Sequence, residues 1–293
     1  MMYVPRLVLA AADTAPPAAP PPERQGVHVW RNKRGGIVAT GFTDGGVHWM
    51  HWPYLAAYRF APGESAITAY PAPNAPLDVL EDTYRRSVVP MALQALGYEA
   101  LHASASLMPA GVVGFFAASE TGKSTVAYGL AQRGFPQWGD DSLLFEPAAR
   151  PFRSRRLPFD IRLRPRSSAF FDQREPLDEP DAILLPEAAP VAALCLLTRG
   201  DLPAAAPVDV HVLDPVRSFS WLIAHAHCFN PHDDARRASM LKHYLDLTAL
   251  VPVYEIVFLP SLDVLPVVLD AIIHGLKGTM IPNAGVTNSV TQP

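Results

Sequence analysis

Residues Leu101–Glu146 read LHASASLMPAGVVGFFAASETGKSTVAYGLAQRGFPQWGDDSLLFE, centred on Thr121-Gly122-Lys123-Ser124-Thr125. The run Val112–Ala118 is apolar, short and preceded by Gly111, the pattern of a buried strand. Val126 and Leu130 then recur at helical spacing, and Gly134 supplies a stop signal. Strand, tight turn and helix are the setting in which a GK[ST] sequence becomes a phosphate site. Backbone N–H groups at a helix start form an anion-binding concavity, reinforced by the positive end of the helix dipole. Ser119, Glu120, Thr121, Gly122, Lys123, Ser124 and Thr125 are therefore the candidate nucleotide-contacting residues. A lysine at this place reaches the β- and γ-phosphates, and a hydroxyl from Ser124 or Thr125 can hold Mg²⁺. The first glycine of GxxxxGK[ST] falls at Ala117. Alanine disfavours positive φ, so the loop is expected to enter at a different angle or to hold nucleotide less tightly.

Asp140-Asp141 follow the phosphate helix and precede the apolar Leu143-Leu144-Phe145. Adjacent carboxylates repel, so a cation is their natural partner. One acid would help to hold Mg²⁺ and the other would accept the proton of an attacking hydroxyl. Downstream, Arg150, Arg153, Arg155, Arg156, Arg162, Arg164 and Arg166 form a basic segment. It could steer an anion, supply charge to a transition state or dock an acidic substrate; a solvated face is the alternative. Arg162 and Arg164 share one face of a strand expected over Asp160–Arg164 and are the arginines expected to point inward.

The chain has 293 residues, 49% of them hydrophobic and 18% charged, enough for one large or two modest domains. A net charge of −4 argues against a general nucleic-acid binder, and no apolar run approaches a membrane span. The two cysteines, Cys195 and Cys228, sit among apolar neighbours, which points to reduced thiols and a cytoplasmic protein. The opening MMYVPRLVLAAADTAPP has an apolar stretch too short for a secretory signal. Residues 1–24 are read as a flexible Ala/Pro-rich lead-in.

Residues 25–97 are expected to form a small β-rich module ending in a linking helix, Leu77–Leu96, kinked at Pro90 and stopped by Gly97. His48 and His51 within it read as ordinary strand histidines. Tyr98–Ala103 reads as a strand that carries His102 toward the phosphate loop. Strands over Val191–Leu197, Val208–Leu213 and Val253–Leu259 alternate with helices over Ser218–Phe229, Ala235–Leu250 and Leu262–Leu276. Residues 98–278 form the phosphate-loop domain in this reading, and 279–293 a loose tail. The spacing of His225, His227, Cys228 and His232 matches no zinc template.

From His102 onward the chain resembles the HPr kinase/phosphorylase-like family of bacterial serine kinases, some encoded beside lasso-peptide biosynthesis genes. The resemblance rests on Leu101-His102-Ala103, the strand into Thr121–Thr125, Arg133-Gly134 and Asp140-Asp141. It implies an α/β fold of the HPr kinase/phosphoenolpyruvate carboxykinase type. It further implies ATP and Mg²⁺ as cofactors, Asp140 as catalytic base, Asp141 with Ser124 at the metal, and His102 as a site residue that orients the acids. The implied acceptor is a serine on a peptide or protein, including a ribosomally made precursor peptide, and homo-oligomers are common among relatives. Ala117, Ala103 where glycine is common, and the lack of a second glycine-rich signature argue against HPr itself as substrate. Two other classes stay open: a nucleotide-binding regulatory or peptide-binding module, and a small-molecule hydroxyl kinase.

Overall fold

The structure, a computed structural model, describes residues 4–11, 14–32, 34–157, 159, 161–172, 185–229 and 232–276. It is a mixed α/β protein built on two sheets. The front sheet has six strands: β1 (Arg6–Leu9), β2 (His28–Arg31), β3 (Ile37–Asp44), β4 (Val47–Trp52), β5 (Ala56–Phe60) and β6 (Ala66–Pro71). Their order is β1-β6-β5-β4-β3-β2. Strands β2 to β6 form an antiparallel meander, and β1 adds parallel to β6. The stretch Arg6–Leu9, expected to belong to a flexible lead-in, is thus a paired edge strand. Its apolar residues, Leu7–Leu9, are too few for a periodic signal.

One face of this sheet buries Met50, Tyr58, Ile67 and Ala69 against the linking helix. That helix is not one kinked rod. It comprises α1 (Leu77–Thr83), a π-turn over Tyr84–Val88 and α2 (Val89–Ala95). Pro90 has no N–H to return to residue 86, and the Val89 N–H reaches back five residues to Tyr84 O, which widens the turn. The same apolar cluster takes in Ala100, Leu144 and Leu157, so a shared core crosses the boundary drawn at residue 97.

The second sheet contains β7 (Glu99–Leu101), β8 (Ala103–Met108), β9 (Gly111–Phe116), β10 (Gln137–Gly139), β11 (Leu143–Glu146), β12 (Arg153–Arg155), β13 (Ala188–Arg199), β14 (Val208–Val212) and β15 (Val253–Phe258). Its centre is parallel: β13 pairs with β9 on one side and β15 on the other. The helices here are α3 (Lys123–Ala131), α4 (Pro165–Asp172), α5 (Pro215–His225), α6 (Asp234–Leu250) and α7 (Leu265–Gly275). Val113, Phe115 and Cys195 pack with Val126 and Leu130 of α3 and Leu269 of α7. Val112, Leu194 and Leu196 pack on the opposite face with Leu222 of α5 and Tyr244 of α6. A sheet covered on both faces requires apolar residues at successive positions, hence the unbroken run in β9.

Three expectations are corrected. Residues 161–164 are irregular, not a strand, and α4 begins at Pro165. Asp140 takes the Arg162 N–H that a ladder would have used. The strand expected over Tyr98–Ala103 is interrupted at His102, between β7 and β8. The helix expected to run to Phe229 ends at His225, after which Ala226 is extended and bridges Leu101. The tail at 279–293 lies outside the described residues.

Candidate active site

The loop after β9 and the start of α3 open on a cavity of about 730 Å³ at the carboxyl ends of the parallel strands. Ligands of open parallel α/β sheets bind at this end. Ser119–Val126 line it, with His102, Asp141 and Arg162–Ser167. Gly122 caps α3 with φ 123°, and Glu120 has φ 72°. Among the described residues with positive φ, Ala117 does not appear. The position where the loop pattern has glycine therefore needs no glycine here. Backbone strain falls three residues later, at Glu120, in the segment that would face phosphate.

Lys123 is 8% exposed and its Nζ donates to His102 Nε2 at 3.2 Å. An ammonium can only donate, so Nε2 accepts and Nδ1 carries the ring hydrogen, which it donates to Asp141 O at 3.1 Å. Burial, then the Lys123 charge, lowers the His102 pKa, and the imidazole is neutral at pH 7. Burial also lowers the Lys123 pKa; Asp141 and Asp140 oppose that shift, and Arg164 adds to it.

The two acids are held differently. Asp140 is 4% exposed; its Oδ1 accepts from Ser104 Oγ at 2.7 Å and Ser124 Oγ at 2.9 Å. Its Oδ2 accepts from Arg162 N at 3.0 Å and lies 3.5 Å from Arg86 Nη1. Asp141, with φ 60°, lines the cavity and is paired with Arg86 Nη1. Arg86 comes from the π-turn of the linking helix and also donates to Asp82 Oδ1 at 2.8 Å through Nε. Burial opposes its charge, and the hydrogen bonds to Asp82 and Asp141 outweigh that, so its pKa is raised.

Each expected site residue is at this cavity or directly beneath it, although the arginines arrive by another route. Arg162 meets Asp140 through its backbone, and its side chain turns to Asp82 Oδ2 at 3.1 Å. Arg164 pairs with Glu120 at 3.0 Å, and both are largely exposed. Ser104, Arg86 and His227 were not expected here. Ser104 had a signal: a period of two puts 102 and 104 on one side of the chain. Arg86 had none. His227 stacks edge-on against His102 at 5.9 Å, because its N–H joins Ala100 O instead of continuing α5. Burial, then His102, pulls its pKa down to about 4.

Among the described residues no group of three or more His, Cys, Asp or Glu side chains could hold a metal unaided. The oxygen donors present, Ser124 Oγ and the carboxylates of Asp140 and Asp141, nonetheless fit Mg²⁺. That ion is usually held by one or two carboxylates together with substrate phosphates.

No family model matches the sequence, and no curated protein does. Among solved structures the chain is similar to the HPr(Ser) kinase/phosphatase from Coxiella burnetii. The likeness has a TM-score of 0.33 and 12% identity, and covers 60% of this chain and 95% of that one.

Proposed function

We propose that the protein is an ATP-dependent phosphotransferase whose acceptor is a hydroxyl, most favourably a serine of a peptide or protein. The observation that carries this is the joint placement of Lys123, Ser124 and Asp140. The loop hydroxyl donates to the buried Asp140 carboxylate, and Lys123 and Ser124 both line one cavity. Backbone N–H groups of Thr121–Ser124 and Lys123 would bind the triphosphate. Ser124 with Asp140 would hold Mg²⁺, which when bound neutralises charge on the β- and γ-phosphates.

The hydrogen bonding favours exchanging the two roles that the family resemblance implies. Asp140 has both oxygens occupied and contacts the loop hydroxyl, which suits a metal-side carboxylate. Asp141 faces the cavity and suits the base. Asp141 takes the hydroxyl proton as the acceptor oxygen bonds to the γ-phosphorus, and the bond to the β,γ-bridging oxygen breaks to release ADP. Neutral His102 fixes the Asp141 backbone and keeps the lysine aimed. Positioning and electrostatics are the means available in such chemistry.

The test is incubation of the purified chain with γ-labelled ATP, Mg²⁺ and serine peptides, with hydroxyl metabolites in parallel. Labelled peptide is expected, and Lys123→Met should reduce its formation about a thousandfold. Turnover restricted to metabolites would select a small-molecule kinase. The Arg86–Asp141 pair favours a second reading, a nucleotide-binding module without turnover. ATP-dependent thermal stabilisation with no phosphoproduct would select it.

A further inference from the structure

We infer that the base of the nucleotide lies against an apolar wall made by Phe258, Pro260, Leu262, Leu265 and Val268, and that this wall holds the base without reading its edge. The inference rests on the loop at 119–124 being a triphosphate cradle. Strands β9, β13 and β15 are parallel neighbours, so the segments leaving their carboxyl ends open on one side of the sheet. The same cavity of about 730 Å³ is lined by the phosphate loop and by these five residues. Its lining is thus of two kinds: Lys123 and helix-start N–H groups on one hand, aliphatic and aromatic carbon on the other. A ligand that fits both is polyanionic at one end and flat and apolar at the other, as a nucleoside triphosphate is.

Most N–H groups of the wall segment and its serine hydroxyl are already engaged. Ser261 Oγ donates to Asp263 Oδ2 at 3.1 Å and accepts from Asp263 N at 3.2 Å. The N–H groups of Leu259, Ser261 and Val264 donate to Pro207 O, Leu259 O and Ser261 O. Pro260 has no N–H to offer. Arg199, at the rim, donates to Glu120 O. Adenine and guanine differ in the donors and acceptors on their edges, and discrimination between them needs fixed protein partners. An apolar pocket rejects a near-isostere weakly, whereas a hydrogen-bonding site does so by several orders of magnitude.

Competition binding on the full chain with Mg²⁺ tests this, using ATP, GTP and inorganic tripolyphosphate. ATP and GTP are expected to bind within about tenfold of each other, and both more tightly than tripolyphosphate by about tenfold or more. Leu262 is half-buried, so Leu262→Asp should still fold. It should bring both nucleotides down to the tripolyphosphate level and leave tripolyphosphate unchanged, while Leu262→Met retains nucleotide affinity. Preference for one base beyond a hundredfold overturns the edge-blind wall. Unchanged nucleotide affinity in Leu262→Asp overturns the placement. Failure of the wild-type chain to bind tripolyphosphate strikes the phosphate cradle instead, and the wall falls with it.

Discussion

In β6 of the front sheet Ile67 and Ala69 are buried between partly exposed neighbours; in β9 every residue from Gly111 to Phe116 is buried. Polar burial divides the same way. Among the described residues of the front sheet, Thr40 is the buried polar side chain, whereas Ser104, Lys123, Asp140 and Ser142 are all buried at or near the candidate site. A sheet with one wet face can leave its polar groups in water. A sheet covered twice must partner most of the polar groups it encloses, and Ser104, Ser124 and Asp140 do so here, whereas Ser106 Oγ in β8 is buried without a partner. The candidate site was built in the second setting.

The two sheets differ most in what they tolerate at glycine. Gly111 opens β9 at φ 133°, and a Cβ there would lie 2.3 Å from Pro190 O. Gly111→Ala is expected to lower unfolding stability by about 4 kcal/mol in a urea titration, combining strain and overlap. A loss below about 1 kcal/mol would show that β9 and β13 are not locked together.

Arg86→Ala should come next. It leaves two acids, one of them buried, without their guanidinium, and about 3 kcal/mol of stability is expected to go. Added Mg²⁺ should narrow the deficit in thermal melts if the acids accept a cation. A deficit that Mg²⁺ does not touch would leave Arg86 as a packing group only.

His227 gives a pH test. The unfolded chain takes up this proton near pH 6.5 and the folded chain near 4, so the unfolded state binds more protons between those values. Stability is full above about pH 6.5 and falls as the pH drops toward 4, by on the order of 3 kcal/mol. His227→Gln should flatten that part of the acid slope. Part should remain, because burial also lowers His28, His48 and His51 in the front sheet.

The smallest effect is expected at a front-sheet turn. Gly45 has φ 55° but nothing within 4 Å of a Cβ, so Gly45→Ala should cost only about 1 kcal/mol.

The parts of the fold legible in the sequence were those governed by local periodicity. Glycine-marked turns set off the hairpin strands, β9 is a closed apolar run, and the loop carries its own motif in Gly122, Lys123 and Ser124. Arg86 was not legible, because its place depends on a wide helical turn and on partners 54 and 55 residues away. The irregular stretch at 161–164 was missed for a related reason: its backbone serves a side chain, Asp140, and not a neighbouring strand. Arg6–Leu9 became a strand because β6 offered an edge, something no window of four residues can announce.

The wide turn at Tyr84–Val88 is equivalent to a one-residue insertion in an otherwise regular helix. Each added residue rotates the downstream part of a helix by about 100°. Here that offset lets Arg86 look toward the acids while Val88 and Val89 stay in the apolar interior. A chain one residue shorter at this point would keep its helix and its hydrophobic contacts on one side of the turn and misdirect the guanidinium on the other. The electrostatics of the cavity floor are thus tuned by a residue count in a distant spiral, a kind of variation that comparison of side-chain identities alone would overlook.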